Sequence, residues 1–186
     1  SSKVSAAINS HVDPQPFAGQ YRNLESHSVL KVAAKEGGLF ANAMHFAPLG
    51  PGHFAAEEGP EMKFASEIIG AMRLTLTAND SAPQILEKFE PIKPPVAELA
   101  QYAGVNTSAE LETNYRFAVK DGKLTLFNNW QEPSALDPTI RDEFQGPDGM
   151  AIVFRRDAAH RITGFDVFAG RVRNIAFTKT AEKTIH

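Results

Sequence analysis

A single offset of 85 residues lays two separated segments of the chain on two others. Phe17-Ala18-Gly19 falls on Tyr102-Ala103-Gly104, and Lys35-Glu36-Gly37-Gly38-Leu39 falls on Lys120-Asp121-Gly122-Lys123-Leu124 without a gap. Further on the match drifts. Met62-Lys63-Phe64 meets Ile152-Val153-Phe154 at offset 90, and Ile69-Gly70-Ala71-Met72 meets Thr163-Gly164-Phe165-Asp166 at offset 94, the drift that small insertions in turns produce. Self-similarity over such a period marks two copies of one supersecondary or domain unit. The expected division is a lead-in over 1–14, a first copy over 15–90, a linker over 91–101, a second copy over 102–180 and a tail over 181–186.

Each copy reads as all-β. The 13 glycines and 12 prolines are spread throughout, and the segments between them are short and rich in Val, Ile, Phe, Tyr and Thr. In Asn114 to Lys120 the side chains of Tyr115, Phe117 and Val119 share one face at period 2. Asp121-Gly122 then supplies two residues that tolerate positive φ, and Leu124 and Leu126 continue on the partner strand. Met150 to Arg155, Ile162 to Ala169 and Arg171 to Lys179 form three further strands. Their connections are too short for anything but antiparallel neighbours. Only Ser81 to Leu99 has a helical flavour. Ser81 is expected to cap a short helix with Pro83 in its first turn and Ile85, Leu86 and Phe89 on one side, and Pro95 to open another in which Val96, Leu99 and Tyr102 recur at spacing three.

Composition removes whole classes of function. With no cysteine, the chain has no disulfide scaffold, thiol nucleophile or thiolate zinc site. The 19 basic and 22 acidic residues balance too closely for a nucleic-acid footprint, and no apolar run approaches the roughly 20 residues of a membrane helix. Charge is uneven, however. Residues 1–90 carry 7 basic and 10 acidic side chains, and 91–186 carry 12 of each. Arg155, Arg156, Arg161, Arg171 and Arg173 lie close in sequence; they either form a basic stripe or alternate as solvent-facing strand residues.

The second copy carries a family likeness. Tyr102-Ala103-Gly104, the segment from Tyr115 to Leu124, Leu136-Asp137-Pro138, Asp142-Glu143-Phe144, Val153 to Asp157, Ile162-Thr163-Gly164-Phe165 and Val172 to Phe177 together resemble the lipocalin-like β-barrel module. That module follows the catalytic domain of serine hydrolases of the class C β-lactamase and D-aminopeptidase type. The first copy, from Phe17 to Asn23 and through Gly52-His53-Phe54 and Met62-Lys63-Phe64, resembles the related barrel of the same enzymes. The resemblance implies two consecutive small antiparallel barrels of about eight strands each, joined by a short helical, Pro-rich linker. It also implies a non-catalytic region that packs on a serine hydrolase domain, in the same or a separate chain, and shapes substrate access. Homo-oligomerisation and a small apolar ligand are the further partners considered, no cofactor is expected, and a periplasmic or secreted location is favoured over a cytoplasmic one.

Catalytic parts of such enzymes carry Ser-x-x-Lys at a helix start, Tyr-x-Asn and Lys-Thr-Gly. Here Ser28-Val29-Leu30-Lys31, Tyr21-Arg22-Asn23 and Lys179-Thr180-Ala181 only approximate them. Ser28 and Lys31 belong to a strand segment and point to opposite faces, and Tyr21 precedes Ser28. No enzyme activity is expected of this chain. His45 and His53 flank Pro48-Leu49-Gly50-Pro51-Gly52, with Glu57 and Glu58 nearby, and are read as loop residues rather than metal ligands. His160 belongs to a charged turn. Candidate ligand or partner contacts are Trp130, His45, His53, Arg171 and Arg173, and the loops Ala47 to Gly52 and Asn128 to Pro133 are the candidate gating segments. The many phenylalanines predict filled barrel interiors.

Overall fold

The computed structural model describes residues 12–35, 37–66, 70–128, 132–170 and 172–180, with the backbone alone over 172–174. It divides into two compact units, Ser1–Glu90 and Pro91–His186. The first holds β1 (Gly19–Asn23), β2 (Val29–Lys35), β3 (Gly38–Ala41), β4 (Met44–Gly50), β5 (His53–Ala55), β6 (Glu61–Ala65), β7 (Arg73–Thr77) and β8 (Gln84–Phe89). Each strand pairs antiparallel with the next, and β8 returns to β1, so the sheet is a closed barrel.

The second unit opens with a short helix, α1 (Val96–Leu99), running into a 3-10 turn over Ala100–Tyr102. Its strands are β9 (Gly104–Ser108), β10 (Thr113–Lys120), β11 (Lys123–Phe127), β12 (Ser134–Ala135), β13 (Asp137–Pro138), β14 (Glu143–Gln145), β15 (Ala151–Arg156), β16 (Ile162–Ala169) and β17 (Val172–Lys179). They run β12-β11-β10-β9-β17-β16-β15-β14-β13 in one antiparallel sheet. Its two ends, β12 and β13, are separated in the chain by Leu136 alone, so the second sheet also wraps into a barrel. The fold is therefore all-β, two consecutive small antiparallel barrels, as expected.

The strand registers make the repeat more regular than the sequence does. The match at offset 85 covers β1 to β3 and β9 to β11: a 3-10 turn ends at Phe17 or Tyr102, and the hairpin closes with Lys35 opposite Gly38 or Lys120 opposite Lys123. Asp121 and Gly122 take φ of 52° and 75°, the pair of positive values that a two-residue hairpin needs. Beyond Ala41 and Leu126 the offset becomes 90. Pro48 lies opposite Phe54 as Pro138 lies opposite Phe144, and Phe54 lies opposite Met62 as Phe144 lies opposite Ile152. The five added residues fall between β11 and β12. In the first unit, by contrast, Asn42 and Ala43 alone turn β3 into β4, at φ of 49° and 62°. Over the last two strands the offset is 91, with Leu74 and Leu86 in the places of Phe165 and Phe177. The shift of 94 inferred from Ile69 to Met72 is thus corrected to 91.

Two helical expectations part ways. Pro95 does open α1, and Leu99 and Tyr102 are buried in the second core, so the segment read as a linker joins the second unit. Gln84–Phe89, expected to be helical, is strand β8. A six-residue helix is marginal by itself, whereas here the backbone gains ladders to both β7 and β1. Likewise Ala47 to Gly50, expected as a loop, is the second half of β4.

Alternating side chains fill each barrel. The first packs Tyr21, Leu39, Phe46, Phe54, Met62 and Leu74. The second is more aromatic: Tyr102, Phe144, Phe154, Phe117, Phe165 and Phe177 form a chain of ring contacts 4.6 to 5.8 Å apart, ending in a parallel stack of Phe165 on Phe177. Each fully buried ring stabilises the fold by about 1.5–3 kcal/mol.

Candidate functional site

The shared 3-10 turn closes one end of each barrel, and each closure uses a lysine from the last strand. Lys88 on β8 donates to the carbonyl of Pro16 at 3.0 Å, and Lys179 on β17 donates to that of Gln101 at 3.3 Å. Pro16 and Gln101 are themselves 85 apart. Each lysine stem lies across a glycine, Gly19 or Gly104, whose φ of +144° or +135° and missing Cβ make the passage possible; a Cβ would stand 2.6 or 2.8 Å from the lysine Cε. The repeat motifs thus encode a clasp: turn, glycine, and a distant lysine on the final strand. The sequence displays the first two parts, but nothing local marks the lysine as their partner.

Above that closure the second barrel carries a polar hub. Arg156, at the end of β15, meets Asp142 through Nε at 3.0 Å to both carboxylate oxygens and through Nη2 at 2.8 Å. Nη1 donates to Gln101 Oε1 and to the carbonyl of His160, and Nη2 reaches the Tyr102 hydroxyl at 3.5 Å. Tyr102 in turn donates to Asp142 at 2.8 Å. All three nitrogens of the guanidinium are engaged, the arrangement in which arginine best holds a carboxylate. Burial pushes the Asp142 carboxyl up, but the hydrogen bonds from Arg156 and Tyr102 and the arginine charge outweigh it and hold it below the ordinary carboxylate range. Burial first, then the bond to Asp142, pushes Tyr102 up to about 12. In the first unit the three places are Phe17, Gly52 and Ser66, and no such hub forms among the described residues. Gly52 and Asp142 keep the same left-handed corner, φ 65° and 64°, and their carbonyls accept from Phe64 and Phe154 alike at 2.8 Å.

Among the described residues, the neighbouring arginines Arg155 and Arg161 each face a carboxylate. Arg155 lies 3.7 Å from Asp166 and donates across Gly164 to the carbonyl of Phe177 at 2.8 Å. Arg161 pairs with Asp157 at 2.9 Å, in a turn where Asp157 also accepts from the backbone of Ala159 and Arg161. Those bonds, the Arg161 backbone first, hold the Asp157 carboxyl low. His160 is exposed in the same turn. Arg171 and Trp130 lie outside the described residues, as do Asn129 and Gln131 of the candidate loop, His11, His186 and the tail; so does the side chain of Arg173.

His45 and His53 are held apart. His53 pairs across β5 with Gly50, five residues along β4 from His45, which sets roughly 16 Å of strand between them. His53 bonds Glu61 at 3.2 Å, and His45 lies against Phe40 with ring centres 4.8 Å apart. His45 instead lines a hollow in the barrel wall with Met44, Ala56, Glu57 and Glu58. It forms where the first half of β4 pairs with β3 and the second half with β5. Among the described residues no three His, Asp or Glu side chains converge as a metal ion requires. Ser28 meets the Ser26 hydroxyl at 2.8 Å ahead of β2, and Lys31 lies exposed beyond buried Leu30. No protein-family model matches the chain, and a search of curated proteins finds no match.

Proposed function

We propose that this chain is a non-catalytic accessory region of a β-lactamase-like serine hydrolase, a peptidase or esterase, that packs on the catalytic domain and shapes access to its substrate. The observation that carries the reading is the duplicated barrel itself. Both copies keep the same closure and the same hairpin register, while the five-residue difference between them falls between β11 and β12. Filled aromatic interiors leave loops and outer faces as the surfaces available for contact, and a rigid barrel is well suited to holding a loop over a neighbouring site. Such an interface is expected to be standard in size, about 800 Å² on each partner.

The test mixes the purified chain with a catalytic domain of the class C β-lactamase or D-aminopeptidase type from the same organism, followed by size-exclusion chromatography with light scattering. A stoichiometric complex with altered turnover of bulky substrates is expected. Two separate peaks at high micromolar concentration, together with displaceable binding of an apolar fluorescent probe by the chain alone, would overturn the proposal in favour of a free-standing binder.

A further inference from the structure

The two barrels part company at one inward position next to the closure. In the first, Tyr21 is fully buried and its hydroxyl donates to the carbonyl of Phe17, the last residue of the 3-10 turn, at 2.8 Å. In the second, offset 85 brings Asn106 to that position. Asn106 is also fully buried, yet neither its amide nitrogen nor its amide oxygen meets a partner; among the described residues these are the only buried side-chain atoms so placed. The strand pairing puts Tyr115 and Lys179 directly across from it on β10 and β17. Tyr115 belongs to the aromatic chain, its ring 4.7 Å from that of Phe177. A buried amide in such surroundings is costly unless its two donors and its carbonyl are engaged, and the large majority of buried polar groups are engaged by protein or by ordered water.

The first barrel indicates what the occupant is. A tyrosine hydroxyl reaches farther from the backbone than an asparagine amide by roughly the length of one hydrogen bond, about 2.8 Å. One small group that both donates and accepts would make up that difference. We infer that Asn106 anchors buried water in the second barrel, one molecule of which accepts from its amide NH2 and donates to the carbonyl of Tyr102, the carbonyl's counterpart on Phe17 being met directly by Tyr21 in the first. Buried waters take two to four hydrogen bonds at sites of this kind. The closure of the second barrel is then solvent-mediated while that of the first is direct.

Water–protein NOE and ROE spectroscopy on the 15N-labelled full chain tests this. The side-chain amide protons of Asn106 and the neighbouring backbone amides are expected to show cross-peaks to the water resonance with the sign of a long-lived bound molecule, and Asn106→Tyr to remove those of the backbone amides by supplying the hydroxyl. Wild-type spectra decide the matter even if that variant does not fold. Asn106 amide protons with no water cross-peak, contacting only the ring protons of Tyr115 or Phe177, would overturn the inference.

Discussion

Asp142 sits at a left-handed corner that glycine occupies in the first unit, and its side chain is what allows Arg156 to be buried there. Asn tolerates the same corner but carries no charge, so Asp142→Asn isolates the electrostatic part of the hub. It is expected to cost the second unit about 3 kcal/mol, because it leaves a mostly buried guanidinium without its counter-ion. Amide hydrogen exchange, read separately over the two units, checks this; protection in β14 and β15 should fall while that in β1 to β8 stays unchanged. The pH dependence follows from the depressed carboxyl. Its folded pKa lies below the unfolded value of about 4, so its contribution is complete above that value and is lost as the pH falls through the folded one. The wild-type second unit should therefore lose more protection between neutral pH and pH 2 than the Asp142→Asn variant does. Tyr102, Asp142 and Arg156 all stand in motifs that the sequence displays, but Asp142 lies 40 residues from Tyr102 and 14 from Arg156, and only the fold brings the three together.

Hairpins and strands show where local sequence governs and where pairing overrides it. The Asp121-Gly122 turn is legible because both residues accept positive φ. The Asn42-Ala43 turn is not, since alanine pays for the left-handed region with a clash at its Cβ. Ala43→Gly should accordingly stabilise the first unit by about 1 kcal/mol, measurable as a rise in its urea midpoint. Gly164 presents the opposite case. Its φ is ordinary, but an added Cβ would stand 2.1 Å from the carbonyl of Phe177, where the Arg155 guanidinium also passes. Gly164→Ala should destabilise β15 to β17 by about 3 kcal/mol or more, seen as a lowered thermal midpoint, whereas Gly122→Ala, with open space around it, should cost only about 1. Ile85, Leu86 and Phe89 mimic a helical stripe in sequence, yet Leu86 is buried and Ile85 is 40% exposed, the alternation of a strand. Closure of the barrel decides that segment, and closure is not a local property.

At the scale of the molecule, the offset of 85 already implied two copies. What it could not supply was the position of the insertion, because the residues shared after β3, such as Pro48 with Pro138 and Phe54 with Phe144, are isolated ones whose equivalence only the strand pairing shows. Once register is counted, the second half of each copy falls into place at 90 and 91, and the differences concentrate at the polar hub, at Asn106 and in the β11 to β12 connection. The role proposed for this duplicated plan is that of an accessory region of a serine hydrolase. The most direct measurement is the sequence of the coding region upstream of the Ser1 codon. A catalytic domain with Ser-x-x-Lys at a helix start, followed by Tyr-x-Asn and Lys-Thr-Gly, is expected there, in the same reading frame or in the neighbouring one. An upstream region that encodes no such domain, in either frame, would contradict the proposed role.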